Sequence, residues 1–111
     1  MSAKTNISGQ MRRTIALITR GAIAWVESSY YRPQGVTTKE LYREFQLLLF
    51  GQVYPERSCP VSEWPDTARS FGHCFTRHKR EVRQGLREAG MEMWWCTGAG
   101  NSALYSFAKD A

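Results

Sequence analysis

The residues best suited to chemistry crowd into one stretch, 66–89, where six Lys or Arg stand against three acids. Within it Arg69, His73, Thr76, Arg80, Arg83 and Arg87 follow one another at steps of four, three, four, three and four. On a helix of about 3.6 residues per turn these steps put all six on one side, with Arg77 and Lys79 flanking them. Phe71, Phe75, Val82, Leu86 and Ala89 form a second, apolar row on the other side. A guanidinium row suits a polyanion. Each Arg or Lys that neutralises a phosphate releases condensed counterion, and Arg can also pair bidentately with guanine O6 and N7. The bland alternative is a solvated face held by local ion pairs, Arg77 with Glu81 and Glu81 with Lys79 or Arg80.

Other constellations are weaker. Cys59, His73, Cys74, His78 and Cys96 are donor types that zinc accepts, and Cys74 and His78 lie four apart on one helix. There is no C-x-x-C, however, and Cys74 adjoins the apolar row, where a small hydrophobic cysteine belongs. No metal is expected. Nothing marks a cysteine as an activated nucleophile, and Gly98-Ala99-Gly100 lacks the Lys-Ser/Thr and the following helix of a phosphate loop. The expectation is a protein without catalysis or cofactor.

The aromatic residues Trp64, Trp94, Trp95, Tyr30, Tyr31 and Tyr105 suggest a protein surface instead. Trp94 and Trp95 are adjacent, so in a strand they face opposite ways. One belongs to the core, and the other is exposed or covered by a partner, which makes the pair a candidate interface.

The whole chain sets limits on these readings. Its 111 residues leave room for one domain, and 42% hydrophobic with 23% charged residues is an ordinary globular balance. A chain of this size buries roughly two-thirds of its unfolded surface, enough to fold without a disulfide or metal. The net charge is +5, and the first 26 residues carry Lys4, Arg12, Arg13 and Arg20 but no acid. That excess points to a polyanionic partner. Three cysteines, an odd number with no secretory signal in view, point to a reducing cytoplasmic setting. The segment 15–26 is apolar but too short for a bilayer and contains Arg20, so no membrane association is expected. An acid-free, Arg-bearing start also has the character of an organelle transit peptide, but the same residues make a good core helix.

The elements that must position the arginine row follow from spacing and punctuation. A loose arm occupies 1–7, one domain 8–108 and a short tail 109–111. A first helix is expected over about Ser8 to Ser29, with Met11, Ile15, Ile18, Ala22, Trp25 and Val26 in one stripe, weakened at Gly21 and ended before Pro33 and Gly35. Val36 is placed to pair as one short strand. Thr37 with Glu40 matches a capping box that opens a second helix bearing Leu41, Phe45, Leu48 and Leu49 and stopping near Gly51. Pro55, Pro60 and Pro65 mark Gly51 to Pro65 as a long loop, expected to be functional or mobile. The third helix starts at Asp66 or Ser70 and ends at Gly90, and a β-hairpin follows with its turn near Gly98 to Asn101. The expected core is Ile15, Ile18, Ala22, Leu41, Phe45, Leu48, Phe71, Phe75, Val82, Leu86 and Phe107.

This order, an α+β arrangement of three helices with a short strand after the first and a C-terminal hairpin wing, resembles the winged helix-turn-helix superfamily over about residues 8–108. The run Ser70-Phe71-Gly72 through Leu86-Arg87-Glu88-Ala89-Gly90-Met91 is similar to small winged-helix modules of phage and plasmid DNA-binding and replication proteins. The loop before the third helix departs from that pattern by its length. The resemblance implies that the third helix enters the major groove of duplex DNA and that the hairpin lies along the backbone or minor groove. The contacting residues would be Arg69, His73, Thr76, Arg77, Lys79, Arg80, Arg83 and Arg87, with Asn101 from a wing turn that has no Lys or Arg. Arg12 and Arg13 would extend the footprint. Transcription regulation and mobile-element replication both fit. The competing expectation is a phage or plasmid protein-interaction module acting through Trp94 and Trp95, or a homodimer using the long apolar first helix.

Overall fold

The computed structural model describes residues 8–28, 35–97 and 103–109. Helix α1 (Gly9–Glu27) begins where Ser8 caps it, its hydroxyl accepting the Met11 N–H at 3.1 Å. The helix buries Ile15, Ile18, Ala22, Trp25 and Val26, as the stripe requires. Of its expected stop signals, those at 30–34 fall outside the described residues, and Gly35 is in the left-handed region at φ 69°.

Gly21 proves to be a packing requirement, not a flaw in the helix. A Cβ at this position would stand 2.9 Å from ring carbons of Phe45, which is itself fully buried. Glycine costs about 1 kcal/mol of helix propensity relative to alanine, yet here it lets two helices approach closely. Gly21→Ala is therefore expected to destabilise by about 1–3 kcal/mol, since the overpacking outweighs the propensity gained. A thermal melt of the variant checks this, and a raised melting temperature would refute it.

Helix α2 (Thr38–Phe50) starts with the expected capping box: Thr37 Oγ1 accepts from Glu40 N, and Glu40 Oε1 accepts from Thr37 N, both at 3.2 Å. It ends at Gly51 in the left-handed region, φ 76°. Leu41 and Phe45 are buried, but Leu48, expected in the core, is 40% exposed. Tyr42 and Gln46 are buried beside Leu41 and Phe45. At about 100° per residue this centres the inward face between the two pairs and turns position 48 roughly 90° away from it.

The segment 51–67 is a folded cover. Trp64 is 1% exposed and stacks on Tyr42 at 5.7 Å, with Phe50 and Phe71 both 5.5 Å away. Three hydrogen bonds tie the segment down: Tyr42 Oη donates to Pro65 O at 2.8 Å, Thr14 Oγ1 to Glu63 O at 2.7 Å, and Tyr54 N to Gln46 Oε1 at 3.0 Å. Gln46 is fully buried to make the last of these.

The expected third helix is two. Helix α3 (Ala68–Arg77), capped by Thr67, ends at His78, where φ −114° and ψ 24° leave the helical region, and α4 (Lys79–Glu88) restarts at once. The halves pack on different neighbours. Phe71 and Phe75 of α3 meet Phe45 of α2, whereas α4 packs on α1, where a Cβ on Gly85 would come within 2.5 Å of Thr19 Cγ2. One straight rod is not held to serve both surfaces, and the break at His78 lets each half seat its own apolar row.

After Gly90, at φ 77°, come β1 (Met91–Thr97) and β2 (Ala103–Lys109), paired antiparallel with Met93 opposite Phe107 and Trp95 opposite Tyr105. Lys109, expected in the tail, still pairs with Met91. Val36 joins the other edge of β2, exchanging N–H···O bonds with Tyr105 at 2.9 and 2.8 Å. Met91, Met93, Tyr105 and Phe107 complete the core with Val36 and the buried faces of the helices.

Candidate nucleic-acid interface

With Phe71 and Phe75 committed inward, helical geometry turns Arg69, His73, Thr76 and Arg77 outward on α3. This face adjoins the start of α2. The two form a groove lined by Thr38, Lys39, Ala68, Arg69, Gly72, His73, Thr76 and Arg77. Gly72 keeps its floor low, because a Cβ there would stand 3.1 Å from Thr38 Oγ1. A second concavity, lined by Thr76, Arg77, Lys79, Arg80, Glu81 and Gln84, shares two of these residues and carries the groove past His78 onto the first turn of α4.

Five cations line the combined groove, Lys39, Arg69, Arg77, Lys79 and Arg80, against the single acid Glu81. Glu81 lies 3.5 Å from His78 Nδ1, not on the Arg77, Lys79 or Arg80 partners expected of it. Among the described residues Arg69, Arg77 and Arg80 have no ion-pair partner. The N-terminus of α2 adds partial positive charge, offset in part by the Glu40 carboxylate of its capping box. Lys39 was not foreseen as a site residue. Its signal was the capping box: a helix start placed beside another helix offers both its first-turn side chains and its N–H groups to the same space.

The remainder of the expected row is already engaged. Glu92 of β1 accepts from Arg83 Nε at 3.0 Å, from Arg87 Nη2 at 2.9 Å and from its neighbour's N–H, Met93 N, at 2.8 Å. The hydrogen bonds from Arg87 and then Arg83 hold its pKa down at about 2, against the partial desolvation that would raise it. Arg83 also lies 5.4 Å over the Trp95 ring, and Lys79 Nζ 4.8 Å over it. The cationic row is therefore not continuous from Arg69 to Arg87. The helix break and the edge of β1 divide it into an open half and a clamped half.

The clamp has a measurable consequence. Because the folded pKa of Glu92 lies below the ordinary 4.5, its contribution is present above about pH 4.5 and is lost as pH falls toward about 2. Arg83, Arg87 and Glu92 side chains remain 33%, 47% and 33% exposed, so solvent screening limits the contribution to about 1 kcal/mol. Glu92→Gln is expected to melt roughly 3–6 °C lower at pH 7. The gap should close as pH falls through that window, as melts at pH 7, 4 and 2.5 would show; a gap independent of pH would refute the clamp.

The other sequence candidates are dispersed. Trp94 is 42% exposed, whereas Trp95 is half-buried under Lys79 and Arg83, 6.3 Å from Tyr105. Asn101 lies outside the described residues. Arg12 is exposed, and Arg13 stands 3.6 Å from Glu63. Cys74 Sγ lies 3.7 Å from Met11 Sδ, and burial pushes its thiol pKa up, while Cys96 is exposed on β1. Among the described residues no three His, Cys, Asp or Glu converge.

No protein-family model, characterised protein or solved structure matches this chain. Among the described residues no helix is long and apolar enough to cross a membrane. The groove must be read from its own chemistry: a concave surface lined by five cations and one acid that begins at the start of α2.

Proposed function

We propose that this chain is a non-catalytic DNA-binding domain of winged-helix type that lays α3 and the first turn of α4 against duplex DNA. The observation that carries the proposal is the continuous groove from Lys39 past Arg69 and Arg77 to Arg80, with five cations and one acid along it. Guanidinium and ammonium groups along such a channel meet successive phosphates, and the start of α2 offers backbone N–H groups and dipole to the same backbone. The order of elements, with Val36 pairing to the hairpin's second strand, is compatible with this layout. Thr76 Oγ1, 3.4 Å from Tyr105 Oη, ties the end of α3 to the hairpin and so sets how helix and wing meet a duplex. On this reading the arginine contacts are mainly to phosphate. The three free thiols suit the cytoplasm, and regulation of transcription or replication of a mobile element are the roles that such a domain serves.

Fluorescence anisotropy with a labelled duplex and with a single strand, from 50 to 200 mM salt, tests the proposal. Binding should fall steeply with salt, with a log–log slope of roughly −0.9 per phosphate neutralised. No salt-sensitive binding to either form would end this reading.

A second reading has one observation in its favour. Trp94 stands 42% exposed on an edge strand, the kind of anchor on which protein interfaces centre. If a protein partner docks at the hairpin, Trp94→Ala removes that interaction and leaves nucleic-acid binding alone.

A further inference from the structure

The outer side of α1 carries a surface that the DNA reading does not use. Arg20, Ile23, Ala24 and Glu27 succeed one another at helical spacing, and with Leu48 and Leu49 of α2 they line a groove between the two helices. Leu48 is 40% exposed there, one of three large apolar side chains, with Leu47 and Trp94, that stand out at the surface among the described residues. The displacement of Leu48 from the core thus has a counterpart: it is the exposed apolar residue of a strip whose Ile23 and Leu49 are partly buried against the core.

The charges at the two ends of this strip decide what covers it. Arg20 and Glu27 are both exposed, on the same side of α1, with opposite signs and seven residues apart, so about 10 Å separates them along the axis. Among the described residues neither has an ion-pair partner. Ile23 and Ala24 sit at the midpoint. A second α1 laid antiparallel across that midpoint would bring Arg20 opposite Glu27 of the other copy at both ends, and the small Ala24 would let the helices approach. A surface whose charges are complementary to its own two-fold image, with apolar residues between, fits an isologous pair. We infer that this chain forms a two-fold dimer through α1 and the end of α2, with Ile23, Ala24 and Leu48 at its centre and reciprocal Arg20–Glu27 pairs at its ends. None of these residues lines the basic groove, so each copy keeps that groove open, and the inference stands whether or not the groove binds DNA.

Sedimentation equilibrium of the full chain from about 1 to 100 μM, at low and moderate salt, tests the inference. The parent should sediment as a dimer, and Leu48→Glu as a monomer. Arg20→Glu and Glu27→Arg should each weaken association, because each sets like charges against one another at both ends. The double variant Arg20→Glu/Glu27→Arg should restore it to within a few-fold of the parent. Recovery in the double variant is what a merely structural role for either residue would not produce. Far-ultraviolet circular dichroism melts establish that each variant is folded. A monomeric parent at 100 μM, or a double variant no better than the singles, overturns the inference.

Discussion

The double variant Arg77→Glu/Arg80→Glu is expected to lose at least roughly a hundredfold in duplex affinity near 150 mM salt while melting close to the parent. Both side chains are exposed, line the groove where α3 gives way to α4, and have no ion-pair partner among the described residues. Their replacement therefore breaks no contact of the fold, and surface changes of that kind usually stay within about 0.5 kcal/mol. In a complex each would make a charge-assisted bond to phosphate worth about 1.5–3 kcal/mol, so the pair accounts for two or more decades. The salt slope should become shallower by about 2, one unit for each contact removed. The clamped half of the row supplies the control. Arg87→Ala gives up a bond to Glu92 and should lower the melting temperature by a few degrees while changing affinity far less. A solvated face with no nucleic-acid role predicts the opposite pattern, with the groove variant silent and only the clamp variant visible. If Arg77→Glu/Arg80→Glu binds duplex as the parent does, the groove is not the binding surface.

Much of the fold was legible because it rests on local rules. The capping box at Thr37 and Glu40, the stops at Gly51 and Gly90 and the buried stripe of α1 are each set by residues a few positions apart. Where the reading failed, a long-range partner decided. Helical spacing from Arg69 to Arg87 is unbroken in the sequence, and no glycine or proline sits at His78 to announce a kink. The break comes from two separate docking surfaces, α2 for one half and α1 for the other, which spacing alone does not reveal. Glu92 gave no sign of its role either, since its partners lie on another element and only the hairpin's placement brings them within 3 Å. For the site, residue types were readable and their availability was not: of the six-residue row, Arg69, His73 and Arg80 stay open, Thr76 is tied to Tyr105, and Arg83 and Arg87 are held by Glu92.

The loop is the sharpest instance, and Trp64→Ala is expected to be the most destabilising single change, at about 3–5 kcal/mol. Three prolines and the length of Gly51 to Pro65 argued for a functional or mobile loop, but Trp64 is 1% exposed between Tyr42, Phe50 and Phe71. Its removal empties the place where the cover meets α2 and α3, and Tyr42 loses a stacked neighbour. Against a total stability of about 5–15 kcal/mol for a domain of this kind, such a loss lowers the melting temperature by roughly 15 °C or more. The hydrogen bonds that anchor the segment, Tyr42 to Pro65 and Thr14 to Glu63, depend on the indole holding the chain in place, so they should loosen with it. Amide exchange along 52–66 should rise first, followed by that of α3, whose Phe71 the indole covers. Trp64→Phe keeps a ring in the site and should recover at least half of the loss. A mobile loop predicts something quite different, a change below about 0.5 kcal/mol with exchange already fast in the parent. Because α3 carries Arg69, His73 and Arg77, the same cover also steadies one wall of the groove. A Trp64→Phe protein that still folds should therefore bind duplex with nearly the parent's salt slope, since the charges are unchanged, and somewhat lower affinity, since the wall that presents them is less firmly held.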